Sequence, residues 1–114
     1  SDLEKTFIDC LFKPQYAGGI TEIAKAIHKA KEKIDYNRLL DYAIRFNSQA
    51  VIKRLGFLLE LLEIENSVIE NLQKLRTNSF VALDPSHPKE GKTIFRWAIQ
   101  QNIDSNSIRS SIYN

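Results

Sequence analysis

At 114 residues with 43% apolar side chains, the chain is long and apolar enough for one domain with a real core, which excludes a disordered tail. Sixteen Lys and Arg against fourteen Asp and Glu leave a net charge of only +2, below the basic bias of a dedicated nucleic-acid module. No apolar run approaches the ~18 residues that span a bilayer, no signal peptide is recognisable, and the single cysteine excludes an internal disulfide, so a cytoplasmic protein without a membrane segment is expected.

Ser1 and Glu4 can form a capping box ahead of a first helix. Its apolar stripe is Leu3, Phe7, Ile8, Leu11 and Phe12. Cys10 lies on the same side and reads as a small buried hydrophobe. Pro14 ends that helix, because the residue before a proline is pushed out of helical angles. Gly18-Gly19 permits a sharp reversal, and Thr21 can cap a second helix with Ile20, Ile23, Ala24, Ile27, Ala30 and Ile34 on one face. Asp35 caps a third helix, whose inner stripe is Tyr36, Leu39, Leu40, Ala43 and Phe46.

The fourth helix, "NSQAVIKRLGFLLELLE", follows a cap at Asn47 or Ser48. Val51, Ile52, Leu55, Leu58, Leu59 and Leu62 form a wide apolar face; Ala50, Phe57 and Leu61 add a second. Only Lys53, Gly56, Glu60 and Glu63 remain as a polar or small stripe. A helix apolar on most sides is a buried one, so this is the centre of the fold. Gly56 costs about 1 kcal/mol relative to Ala inside a helix. It marks either a close approach by a neighbouring element or a tolerated glycine on the solvent stripe. Val68, Ile69, Leu72 and Leu75 mark a shorter fifth helix.

The texture then changes. "SFVAL" is short, apolar and partly β-branched, "DPSHPKEGKT" is a loop, and in "IFRWAIQQN" Phe95, Trp97 and Ile99 alternate with polar or small residues. That alternation is the period of a half-buried strand. A tail capped by Asp104 or Ser105 can form a last short helix. The expected fold is mainly α, about five helices around the leucine-rich fourth, with a small two-stranded β element in the last third that leaves at least one edge unpaired.

No catalytic or metal-binding constellation emerges. His28 and His87 stand alone, with no second histidine or cysteine at ligand spacing. There is no nucleophile elbow, P-loop or dinucleotide fingerprint. The expectation is a non-enzyme without a metal or cofactor. Lys25, Lys29, Lys31 and Lys33 with Arg38 can form a basic surface for phosphates or an acidic protein face. They can equally be an ordinary solvated helix face.

Three blocks carry a resemblance. "EKTFIDCLFKPQYAGG" resembles the E-K-T-x-x-D-x-L-x-x-P-x-Y-x-G-G block of AbiEi-family antitoxins, the regulators of type IV toxin–antitoxin and abortive-infection systems. "DYNRLLDYAIRFNSQAVIKRLGFLLELL" is similar to that family's helix pair with its R-L-G-[YF]-L-L-E core. "ALDPSHPKEGKTIFRWAIQQN" is similar to its L-D-P-x-x-P-x-x-G…R-W-x-[IL]-x-x-N ending. The resemblance implies that residues 1–114 form a single C-terminal antitoxin domain, lacking the N-terminal winged-helix domain that binds operator DNA. It implies a non-catalytic antitoxin that counteracts an AbiEii-type nucleotidyltransferase toxin without a stable complex. It also implies scaffold roles for the matching residues: Glu4, Lys5, Thr6 and Asp9 opening the domain, Pro14, Tyr16, Gly18 and Gly19 as a recurrent turn, and Gly56, Asp84, Pro85 and Trp97 further on. The runner-up is a DNA-contacting accessory domain of a transcriptional regulator with its lysine face on phosphate. A third reading is a plain oligomerisation domain.

Overall fold

Among the described residues, four of the six helices follow an N-cap side chain that accepts a backbone N–H, each such cap stabilising by about 1 kcal/mol. The computed structural model describes residues 2–113. Asp2 caps α1 (Leu3–Phe12), Asp35 caps α3 (Tyr36–Phe46), Ser48 caps α4 (Gln49–Leu61) and Asp104 caps α6 (Ser105–Ile112). The expected cap at Ser1 lies outside the described residues; the carboxylate that accepts the Lys5 N–H is that of Asp2. Pro14 opens a 3-10 turn, Pro14–Ala17, after α1. α5 (Val68–Leu75) completes the helices.

α2 (Ile20–Ala30) starts two residues earlier than the Thr21 cap would allow. Gly19 holds the cap position at φ +95° and offers no side chain, and the Ile20 N–H is instead taken by the Asp84 carboxylate at 3.1 Å. Because α2 ends at Ala30, Ile34 reaches the core from the following turn.

α4 is central, touched by α1, α5 and the sheet. Leu55, Leu58 and Leu59 are completely covered. So, against expectation, is Lys53 of its polar stripe, and Gly56 is buried too. Neighbours on every side leave α4 no solvent stripe until Glu60. Other expectations fail at the surface: Cys10 is only half-buried, Tyr16, which could have packed over the turn, is exposed, and Phe12 and Phe46 of the inner stripes of α1 and α3 are exposed and pack on each other.

The β element has three strands, not two. β1 (Val81–Ala82), β2 (Lys92–Ile94) and β3 (Ile99–Gln101) form a mixed sheet in the order β1-β3-β2. β1 runs parallel to β3, and β2 pairs antiparallel with it, Ile94 opposite Ile99. The single strand read from "IFRWAIQQN" is therefore the end of β2, a four-residue turn and β3. The turn, Phe95–Ala98, closes with the Ala98 N–H on the Phe95 carbonyl and Ala98 at φ +53°. It breaks the expected face: Trp97 and Ile99 are buried while Phe95 is exposed. The Ala82 carbonyl on β1 accepts from Arg54 at 3.1 Å, which occupies part of that edge. The radius of gyration, 12.7 Å, is that of one compact body of this size.

Candidate functional site

The residues singled out by sequence fall into two groups, an interlocked framework and a set of exposed cations.

Within the framework, Trp97 is the centre. Its ring lies on Gly56, where an added Cβ would come within 2.5 Å of three ring atoms. One helical turn on, the Glu60 carboxylate accepts the indole N–H at 2.6 Å and also takes Arg96 Nε at 2.7 Å. Gly56 and Glu60, four apart on α4, thus form a seat for one side chain. Of the two readings of Gly56, close approach holds.

Asp84 joins the last third of the chain to α2. One carboxylate oxygen caps α2 at Ile20; the other accepts from the N–H and hydroxyl of Ser86 at 2.9 and 2.6 Å. Pro85 follows in the turn that closes with the His87 N–H on the Asp84 carbonyl. A Cβ at Gly19 would stand 3.2 Å from the Asp84 carboxylate, on a backbone already in the left-handed region. Burial pushes the Asp84 carboxyl up, but the hydrogen bonds from Ser86 and Ile20, with His87 nearby, outweigh it and hold it below its ordinary 3.8.

The opening block is spent on α3. Glu4, buried, accepts the Asp35 N–H at 3.0 Å and lies 3.6 Å from Arg38. Asp2 accepts from Arg38 at 2.5 Å and from the Tyr42 hydroxyl. Arg38, then Tyr42, hold the Asp2 carboxyl well below the usual carboxylate range. Lys5 and Asp9 form an exposed i,i+4 pair at 3.1 Å, and the Thr6 hydroxyl donates to the Asp2 carbonyl. Gly18, at φ +87°, donates to the Pro14 carbonyl and closes the 3-10 turn.

Three framework residues carry no advance signal in a helical wheel. Arg54, 5% exposed, donates to the Leu11 and Phe12 carbonyls at 2.9 and 3.4 Å as well as to Ala82. The first two are unpaired carbonyls at the negative end of α1, so a buried cation there is partly compensated. Burial lowers the Arg54 pKa, and Asp84 pulls against that. Lys53, also pulled down by burial, sends its ammonium to the Thr77 hydroxyl at 3.0 Å and to the Ser79 carbonyl. Glu60 is the third; its spacing from Gly56 and its place at the end of the R-L-G-[YF]-L-L-E stretch are the signals that mark it.

The pH dependence follows from Asp2 and Asp84. Both are depressed in the fold, so their stabilisation is complete above the ordinary 3.8 and is lost as pH falls through their lowered values. Urea midpoints should therefore drop steeply below about pH 4. In Asp84→Asn the midpoint at neutral pH should be lower and the acid drop smaller; an unchanged acid profile would remove Asp84 from this account.

The cations are less unified than the sequence suggests. Lys25 and Lys29 lie on α2, but Lys31 and Lys33 belong to the turn after it. Arg38 is committed to Asp2 and Glu4. Among the described residues none of the four lysines has a carboxylate within ion-pair distance, and the same is true of Lys13, Lys74 and Lys92.

His28 packs edge-on to Tyr113, its Nδ1 buried without a partner among the described residues; His87 is exposed in its loop. Among the described residues no group of three His, Cys, Asp or Glu can hold a metal, and no helix is long and apolar enough to cross a membrane. An apolar groove of about 350 Å³ runs beside Cys10, Phe12, Tyr16 and Phe46. A polar one of about 870 Å³ lies where β2 and β3 meet the start of α6. Compared with known proteins, the chain matches no family model, no curated protein and no solved structure.

Proposed function

We propose that the chain is a non-catalytic antitoxin and regulatory domain of AbiEi type, acting in the cytoplasm against a nucleotidyltransferase toxin without forming a stable complex with it. One observation supports the reading. The three sequence blocks that carry the resemblance are the ones that interlock: the first meets the third at Gly19 and Asp84, the second meets the third at Gly56 and Trp97, and Arg54 of the second closes the end of the first. Buried charge is directed largely at backbone groups, which suits a scaffold that acts through its surface.

The test is growth rescue. Co-expression of this chain with an AbiEii-type nucleotidyltransferase toxin should restore growth, and the two should not co-purify. Persistent arrest, with the chain present and folded, would overturn the reading.

The runner-up, a DNA-contacting accessory domain that would assist operator binding in a longer protein, is tested separately. Reversing Lys25, Lys29 and Lys33 to Glu should abolish salt-dependent duplex binding and leave the melting temperature nearly unchanged. Duplex affinity that survives the reversal would show that these lysines are a solvated face.

A further inference from the structure

Phe80 and Phe95 have no role in the framework. They flank the sheet, Phe80 just before β1 and Phe95 in the turn after β2, with ring centroids 5.6 Å apart and planes at 82°. Phe95 is 73% exposed and Phe80 37%. Large exposed aromatics in contact are an unusual use of surface. They stand in a basic setting: residues 74–96 hold five Lys or Arg, of which Arg96 is paired with Glu60 and Lys74, Arg76, Lys89 and Lys92 are in no ion pair among the described residues, and two acids, Asp84 and Glu90. Asp84 is buried and spent on Ile20 and Ser86. The Lys89 ammonium reaches the Phe80 carbonyl at 3.4 Å, and Arg76 reaches the Thr77 carbonyl and Asn78 at 3.1 Å.

We propose that the Phe80–Phe95 pair, with Lys89 beside it and Arg76 on the segment that leads into Phe80, is a docking platform for single-stranded nucleic acid. The chemistry fits that partner on two counts. An exposed aromatic face stacks on any unpaired base, whereas the bases of a duplex are already stacked and out of reach. The flanking cations match a polyanionic backbone, and no unspent carboxylate but Glu90 opposes them in this segment. The edge-to-face pair leaves Phe95, the more exposed ring, for a base, with Phe80 bracing it. This surface lies beside α4 and α5, whereas α2, which bears Lys25 and Lys29, packs on α1, the 3-10 turn and α6. It is therefore separate from the lysine face, and it does not depend on the antitoxin reading.

The experiment is fluorescence anisotropy with a labelled oligothymidylate of about 15 nucleotides, at low and raised salt. The wild-type chain should bind it in preference to a duplex of equal length, more weakly as salt rises. Phe95→Ala should lose about tenfold in affinity with an unchanged melting temperature, since the ring is exposed and its removal leaves no cavity. Lys89→Glu should weaken binding and flatten the salt dependence. Reversal of Lys25, Lys29 and Lys33 should leave single-strand affinity as it is. Unchanged binding in Phe95→Ala would overturn the proposal. So would equal affinity for the duplex, equal competition by polyglutamate, or no binding at low salt.

Discussion

Gly56→Ala should destabilise the chain by about 2 kcal/mol or more, although alanine is the better helix former by about 1 kcal/mol. The added methyl would meet three atoms of the Trp97 ring inside van der Waals distance. The ring is 1% exposed and has no free space to retreat into. Moving it also strains the indole N–H bond to Glu60, a charge-assisted bond in a partly buried place. The measurement is the urea midpoint of the variant against wild type. A second variant isolates the cause: with Trp97→Leu already present, Gly56→Ala should cost much less, because the colliding ring is gone. Full stability of Gly56→Ala in the wild-type background would mean that Trp97 is not seated on α4.

Leu55→Ala and Leu59→Ala should each cost about 2–5 kcal/mol, the range for removing a leucine from a packed interior. Both side chains are completely covered. α4 is held by neighbours on all sides, so the surroundings have little freedom to close over the gap. Leu75→Ala, at 38% exposure near the end of α5, should cost clearly less and serves as the control. Losses below about 1 kcal/mol at both Leu55 and Leu59 would show that α4 is not central.

Much of the helical part was legible because helix signals are local. Asp35, Ser48 and Asp104 announce their caps, Pro14 announces a stop, and a run apolar on nearly every side announces a buried helix. Three features escaped because distant residues set them. Thr21 is a good cap by type, but Asp84 reaches the α2 start from far along the chain and makes a local cap unnecessary. The Phe95–Ala98 turn contains no Gly, Pro, Asn or Asp, and its left-handed position falls on an alanine. Its geometry is instead imposed by Trp97 on Gly56 and by Arg96 and Trp97 on Glu60. Without that knowledge, Phe95, Trp97 and Ile99 read as one strand face, and β2 disappears into the loop before it. Lys53 reads as part of a polar stripe, and Arg54 goes unmarked, for a related reason. A wheel places a long basic side chain on the outside, but here the carbonyls of Ser79, Leu11 and Ala82 lie within reach and let it stay inside. Of the motif residues, Gly19, Gly56, Asp84 and Trp97 lie where distant segments meet, whereas Tyr16 and the Lys5–Asp9 pair are on the surface. Phe80 and Phe95 were read only as strand residues, since exposure is set by the turn.

Trp97 is the only tryptophan, so its emission reports the seat on Gly56 and Glu60 that helps lock the second and third blocks together. The most direct measurement follows this emission through urea unfolding beside the far-UV circular dichroism of the helices. A seated indole should emit to the blue in the native chain, and its signal should be lost in the same transition as the helices, with identical midpoints. A native emission typical of an indole in water, or a tryptophan signal lost well before the helices unfold, would contradict the interlocked framework.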